Sequence, residues 1–490
     1  MKKTLISLFL VLNSFALAQA APQNTPMSQD HNSHEAMPST QHNMPGMPGM
    51  ESPKHLPATQ TPPPDLLKDI VGRPAMRLED FQQFALANNP TLKQAGALVR
   101  QSGAQARQAG LYPNPMVGYQ GEQIRGGSFG GGEQGVFFQQ TFVLGGKLGL
   151  RRSVLQEQRR EDEIGASEQR YRVLSDVGQS FYSALAAQEL FSVRQRLLSL
   201  AMDAVTTANQ LANVGQADAP DVLQTEVEAE QAKVDYTTAQ RTYLQAFHIL
   251  AALVGKPELP VSPLQGDLEH PPEINADGIV DQIARDSPSV KRAQQDITRA
   301  QAELKSAKRE SVPDLQIRAG FQQNLERLNE STPKSVGLQG FATAGITLPI
   351  FNRNQGNVEA ARAGLERAEA EVSRMQLSLR QSTQPLLQMY LADQAQAERY
   401  KSEMIPRAQR AYQLYLAKYQ QMGAAYTQVL VSQRTYFQLQ VGYISVLENL
   451  WVNAIALQNY TLSSSLSGPS SSGMISTTVN LPASGGGSGQ

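Results

Sequence analysis

Apolar positions between residues 148 and 213 follow a helical rule. Val173, Val177, Phe181 and Leu185 recur at fourfold spacing, with Leu174 and Ala184 beside them, which gives a narrow apolar stripe. The stretch has no proline and three glycines, Gly149, Gly165 and Gly178, and helix formers such as Leu155, Gln156, Glu157, Ala186 and Ala187 fill it. At ~1.5 Å rise per residue such a helix reaches roughly 100 Å. Average globular helices have only ~11–12 residues, so the pattern predicts a coiled coil or helical repeat with partners along its whole length.

Those partners follow from the rest of the chain. A helical pattern over 78–110 is stopped by Tyr112-Pro113-Asn114-Pro115. Strand-like runs at 116–124 and 135–143 come next, separated by the glycine-rich loop 125–132. Gly145-Gly146 leads into the long helix, Gly215 suits its C-terminal cap, and Asp218 with Pro220 opens a helix that runs to Leu253. Beyond a proline-rich connector the order returns. It comprises a helical pattern over 278–310, a break at Val312-Pro313-Asp314, strand-like runs at 315–323 and 336–348, a long helix over 355–421, a tip at Met422-Gly423 and a helix to Leu462. Pro90 pairs with Pro288, Pro113 with Pro313, Thr141 with Thr347 and Gly215 with Gly423, an offset of about 200 residues that is too long for a solenoid unit of ~20–50. The chain is a duplication. Its segments are 1–20 (leader), 21–76, a first repeat 77–256, a connector 257–277, a second repeat 278–462, and a serine- and glycine-rich tail 463–490 expected to be disordered.

In the first repeat the two short helices together match the long one, so they can stack end to end along it. Four strands of about 9–13 residues match the ~9–11 needed to cross a bilayer tilted. Gln120, Glu122, Gln139 and Gln323 sit among Val117, Tyr119, Phe137 and Phe142, the pattern of one wet and one lipid face. Four strands cannot close alone, and an open edge in lipid is prohibitive. Two chains would give a barrel of ~8 strands filled by side chains; three give ~12 and a lumen, which is the expectation here. The alternative is a soluble sandwich attached to helices.

The formal net charge is −1, so no global basic field argues for nucleic acid. The chain has no cysteine, which excludes thiolate catalysis, thiolate metal sites, disulfides and an N-terminal cysteine lipid anchor. Lys2 and Lys3, the apolar run 5–17 and Ala18-Gln19-Ala20 read as a secretory signal. No later segment offers ~18 unbroken apolar residues, so any insertion into a membrane is by strands. Residues 21–76 are expected to be disordered, polar and proline-rich over 21–65. They hold His31, His34, His42 and His55 with Met27, Met37, Met44, Met47 and Met50. Imidazole and thioether ligands suit monovalent copper and silver. The expected role of His31, His34, Met37, His42, Met44, Met47 and Met50 is transient metal capture; the alternative is an inert linker.

Three pieces, Ala87-Asn88-Asn89-Pro90, Tyr112-Pro113-Asn114-Pro115 and Thr347-Leu348-Pro349-Ile350-Phe351-Asn352, together with the duplication and the two tip glycines, resemble the TolC family of outer-membrane efflux ducts over 77–462. The run Gln140-Thr141-Phe142-Val143-Leu144-Gly145-Gly146-Lys147, followed by Arg151, looks like the branch serving heavy-metal exporters of the CzcC and CusC type. The resemblance implies a mainly helical fold with a small β-barrel part: duplicated helix hairpins forming a periplasmic α-barrel, and four strands per chain of a trimeric 12-stranded outer-membrane barrel. It also implies a homotrimer in the outer membrane of a Gram-negative bacterium, set in outer-membrane lipid and docked on a periplasmic adaptor and an inner-membrane RND-type pump. The function implied is a passive duct for heavy metals, with copper or silver favoured by the Met/His segment. Alternatives are a duct for drugs or for zinc, cobalt or cadmium, and a soluble periplasmic coiled-coil adaptor.

The family's prototype carries acidic residues just after the second tip, whereas residues 423–428 here have none. The tip and gate set is therefore Gly215, Asp218, Asp221 and Gly423. Asp218 and Asp221 either cap a helix start, which is favoured, or in three copies line a cation-selective constriction. Pro406 matches a recurrent family position, and Pro385 has no family counterpart. His248, among Phe247, Ile249 and Leu250, reads as a packed histidine, and His270 as isolated. Glu226 and Glu230 share a solvated helix face while Glu228 points elsewhere. No nucleophile elbow, P-loop or HExxH occurs, so neither an enzyme nor a resident cofactor is expected.

Overall fold

Proline sets the first break. In the computed structural model, which describes residues 70, 72–124, 132–215, 218–327, 335–421 and 426–468, the pattern over 78–110 is two helices, not one. They are α1 (Leu78–Asn88) and α2 (Pro90–Ala109). Asn89 between them is extended, because a residue before proline disfavours the helical region, and its side chain accepts from Thr91 N at 2.9 Å. Pro90 then opens α2, where its missing N–H costs nothing. The second repeat copies the device. Ser287 and Pro288 split the expected 278–310 helix into α5 (Ile279–Asp286) and α6 (Pro288–Arg309).

The long helix α3 (Lys147–Asn213) runs unbroken for 67 residues, and α4 (Ala219–Leu253) follows it. Both α1–α2 and α4 pack along α3. In the second repeat α6 packs on α7 (Gln355–Arg399), and α9 (Tyr426–Gln458) packs on both α7 and α8 (Ile405–Gln420). Because α3 also meets α6 and α9, it lies at the centre of the helical layer. The predicted stripe of Val173, Val177, Phe181 and Leu185 is fully buried. Phe181 meets Phe81 of α1 at 5.8 Å between centroids, and Phe81 meets Phe247 of α4 at 6.0 Å.

The second long helix, expected whole over 355–421, is interrupted by a π turn at Tyr400–Met404. Pro406 explains it, since its ring would clash with the carbonyl four residues back, and a wider turn relieves that contact. Pro385 sits inside α7 without ending it.

Strands β1 (Met116–Glu122), β2 (Glu133–Phe142), β3 (Leu315–Arg327) and β4 (Ser335–Ile346) form one antiparallel sheet in the order β1-β2-β3-β4. The two repeats join at β2–β3, where Val136 faces Phe321 and Phe142 faces Leu315.

Both flanks expected to be disordered contain residues that pack on the fold. Within 21–76, Arg73 donates from Nη1 to Val261 O at 2.7 Å, and Met76 bridges to Leu264 of the connector. Within 463–490, Ser465 is buried; its N–H donates to Asp176 Oδ2 at 2.6 Å and its carbonyl accepts from Gln169 Nε2 at 2.5 Å. These backbone groups find partners on folded elements, so polar composition alone does not release them. The connector is pinned as well: Gln188 of α3 holds both backbone groups of Leu264, and Trp451 Nε1 of α9 donates to Leu268 O at 2.9 Å.

Candidate functional site

Strand pairing sorts the side chains into two faces. The register aligns Val117, Phe138, Ala319 and Ala342 in one row, and Tyr119, Val136, Phe321 and Gly340 in the next, all on one apolar face. The other face aligns Gln120, Gly135, Gln322 and Gln339, and beside them Glu122, Glu133 and Asn324. Its polar groups bond to each other. Glu133 accepts from Asn324 Nδ2 at 2.8 Å and from Gln322, and Arg318 donates to Gln120. Two residues sit opposite to expectation: Gln323 is on the apolar face and Phe137 on the polar one. Phe137 lies there because its ring carries the Arg318 guanidinium 4.0 Å from the centroid. Gly118 leaves room for it; a Cβ at that position would come within 2.6 Å of the ring.

At the foot of the sheet, Gly145 and Gly146 adopt φ of 69° and 71°, a left-handed pair that turns the chain from β2 into α3. A Cβ on Gly145 would meet Val312 at 2.9 Å. The turn delivers Lys147, 4% exposed, to Asp314 of the second repeat at 2.7 Å and to Val312 O at 2.9 Å. Asp314 also accepts from Leu144 N at 3.0 Å. The Gly-Gly-Lys run is thus the joint between the repeats.

Further along, α3 buries Glu161, Asp162, Glu168 and Gln169. Arg299 of α6 reaches Glu161 at 3.2 Å and Glu303 at 2.7 Å, and Arg292 reaches Glu161 at 3.6 Å. Burial raises the Asp162 carboxyl above the ordinary range, opposed by hydrogen bonds from Ser102 and Gln158 and by the two arginines. Sequence reading missed this seam. Its signal is a run of charges on the α3 flank that faces another helix, visible only once the partner is placed.

At the far tip, Gly215 has φ 74° and ends α3. Asp218 occupies the N-cap position of α4, but its side chain makes no cap hydrogen bond; its carbonyl accepts from Asp221 N and Val222 N. The capping role favoured from the sequence is therefore not played by the Asp218 side chain. Asp221 sits exposed in the first turn, where a carboxylate suits the helix dipole. The hairpin of α8 and α9 is held by tyrosines, with Tyr412 over Tyr436 and Tyr419 against Tyr426, whose hydroxyl burial pushes to a pKa of about 12. Glu228 accepts from Arg434 of α9 at 2.8 Å. Gly423 lies outside the described residues, as do His31, His34, Met37, His42, Met44, Met47 and Met50.

Two histidines differ from expectation. His248 is exposed on α4, because Phe247 and Leu250 take the core-facing positions. His270 is not isolated: its Nδ1 lies 2.7 Å from Asp267, and this hydrogen bond holds the Asp267 carboxyl below the usual range. Among the described residues no three His, Asp or Glu side chains gather as a metal cluster, and no helix is long and apolar enough to cross a membrane.

A two-faced four-stranded sheet set on duplicated long helices matches a known architecture. The family model described as "Outer membrane efflux protein" matches residues 82–256 and 279–461, one segment in each repeat. This chain belongs to that family. The efflux protein is 25% identical to the cobalt-zinc-cadmium resistance protein CzcC of Cupriavidus metallidurans, over 76% of this chain and 86% of that one. It is 27% identical to the nickel-cobalt-cadmium resistance protein NccC of Alcaligenes xylosoxydans xylosoxydans, over 60% of this chain and 66% of that one. Its fold is similar to the crystal structure of CusC, with TM-score 0.64 and 19% identity over 79% of this chain and 92% of that one. The efflux protein is thus an outer-membrane channel component with a helical periplasmic extension, and the two relatives CzcC and NccC are heavy-metal resistance proteins.

Proposed function

We propose that the chain is the passive outer-membrane duct of a tripartite heavy-metal exporter, working as a homotrimer on a periplasmic adaptor and an inner-membrane RND-type pump. The sheet carries this reading. It has one apolar and one polar face, and its outer strands β1 and β4 have no further partner within the described chain. An open edge in lipid is prohibitive, so copies must join, and three give ~12 strands around a wet lumen. The polar face of Gln120, Glu133, Arg318 and Gln322 lines that lumen. The duct performs no catalysis of its own; the partner pump supplies the energy. At the other end, three copies of Asp218 and Asp221 form a cation-selective constriction. In planar bilayers, Asp218→Asn with Asp221→Asn should lower cation over anion selectivity; unchanged reversal potentials would remove that role.

The cargo we propose is copper or silver, on the strength of the methionines and histidines over 31–50. A second reading, zinc, cobalt, cadmium or nickel, is favoured by the similarity to CzcC and NccC. Growth of a strain lacking the protein across copper, silver, zinc, cobalt, cadmium and one lipophilic drug separates these readings. Selective loss of copper and silver tolerance supports the first reading. Loss confined to zinc, cobalt and cadmium supports the second, and loss of drug tolerance alone sinks both. Replacing Met37, Met44, Met47 and Met50 by Ser should lower copper tolerance and leave zinc tolerance unchanged.

A further inference from the structure

Between α2 and α3, close to the strands, runs an open groove of about 530 Å³ whose walls are arginines. Arg100 and Arg107 come from α2, Arg152 and Arg159 from α3, and all four are exposed. Arg159 pairs with Glu163 at 3.0 Å. Among the described residues no carboxylate pairs with Arg100, Arg107 or Arg152. Glycines shape the groove: the Arg159 stem crosses Gly103, where a Cβ would meet it at 3.4 Å, and Arg152 crosses Gly110, where a Cβ would meet it at 3.1 Å. Like-charged guanidiniums lining one groove repel one another, and an anion among them relieves that repulsion. Their planar forks match phosphate oxygens in pairs.

The place of the groove identifies the anion. Arg107 lies two residues before the end of α2, and Arg152 is five residues into α3, which puts it about 7–8 Å below the start of that helix at ~1.5 Å per residue. Leu111, Tyr112, Leu144 and Phe351 are exposed in the links between strands and helices, Phe351 to 91%. Exposed apolar and aromatic residues at strand ends mark the edge of the hydrocarbon layer. The polar headgroup zone extends roughly 5–8 Å beyond that edge. Arg107 and Arg152 therefore lie at headgroup depth, and Arg100 and Arg159 about two turns further from the membrane.

We propose that this groove binds the phosphate of an anionic phospholipid in the membrane leaflet next to the helices. The bound phosphate is held by Arg107 and Arg152 and ties the top of the helical layer to the lipid surface. Nothing in the transport reading requires it, and it stands or falls separately from the cargo.

The test uses the purified full-length protein, reconstituted in vesicles of phosphatidylethanolamine with a minor fraction of phosphatidylglycerol, then extracted for native mass spectrometry. The wild type should retain phosphatidylglycerol in preference to phosphatidylethanolamine. Arg107→Gln with Arg152→Gln should lower that affinity about 30-fold, from the usual contribution of each basic residue at an anionic surface. The oligomer mass and melting temperature should stay unchanged. Excess inorganic phosphate should not displace the lipid. Equal retention by wild type and variant would overturn the proposal, and full displacement by inorganic phosphate would make the groove a free-anion site and overturn the lipid assignment. If the glutamine variant fails to assemble, Arg107→Lys with Arg152→Lys keeps the charge and removes the fork. That variant should retain less lipid than the wild type, and undiminished retention would contradict the role of paired guanidinium contacts.

Discussion

The two long helices of the duplication have diverged, although they occupy equivalent places in their repeats. Helix α3 is unbroken, contains no proline, and is buried along most of its length by α2, α4, α6 and α9. Its counterpart carries Pro385, changes to a π turn at Tyr400–Met404 and resumes as α8, which has no buried residue at all. Position explains the contrast. α3 has neighbours on both flanks within the chain, so a kink there would open the core. The α7–α8 rod lies at the edge of the layer, where a bend disturbs few contacts. Leu377, Met389 and Leu414 stand exposed on it. An edge rod with apolar side chains facing outward is the face that a second copy would cover in a closed assembly.

The largest expected effect lies at the centre of α3. Phe181→Ala removes a ring packed on Phe81 and Tyr182 and should cost about 3–5 kcal/mol, read as a lower thermal unfolding midpoint. Leu414→Ala on α8 should change monomer stability by no more than ~0.5 kcal/mol. Similar losses at the two sites would erase the distinction between spine and edge. Next comes the joint of the repeats. Lys147→Met removes the ion pair with Asp314 and the donor to Val312 O, and should cost about 1–2 kcal/mol in the same measurement because Asp314 keeps Leu144 N and partial solvent access.

Pro385 sharpens the comparison in the other direction. Pro385→Ala restores an exposed backbone N–H to the ladder of α7 and should raise stability by about 1–3 kcal/mol. No gain would mean the bend is relieved by contacts with another copy. The smallest effect concerns the buried seam. The folded Asp162 carboxyl titrates above its unfolded value, so its favourable contribution is present at low pH and is lost as pH rises through the folded value. Asp162→Asn should therefore stabilise the protein at neutral pH, by an amount that shrinks as the medium is acidified towards the unfolded carboxylate range. Denaturant midpoints measured at both ends of that window check the sign.

Local signals carried most of this fold. The fourfold stripe from Val173 to Leu185 placed α3, and the landmark pairs Pro90/Pro288 and Pro113/Pro313 disclosed the duplication. Boundaries failed where a long-range partner decides. Ser465 looks like any serine in a polar tail until Gln169 and Asp176 reach it. Phe137 reads as a lipid-facing aromatic until the register sets Arg318 over its ring. His248 sits in an apolar sequence, yet the helix turns it outward. The Gly-Gly-Lys run carries a family resemblance in the sequence, but its physical role depends on Asp314, which lies far along the chain. The polar seam of α3 is illegible in the sequence for the same reason, since Arg292 and Arg299 belong to the other repeat.

Copies of this chain must close a sheet that is open by itself if it is to form a duct. The most direct test is the mass of the full-length protein, extracted from membranes in detergent and freed of bound detergent in the gas phase. Three copies per particle, with no protein recovered from a detergent-free soluble fraction, is the predicted result. A monomer that stays soluble without detergent would contradict the barrel, and with it the duct.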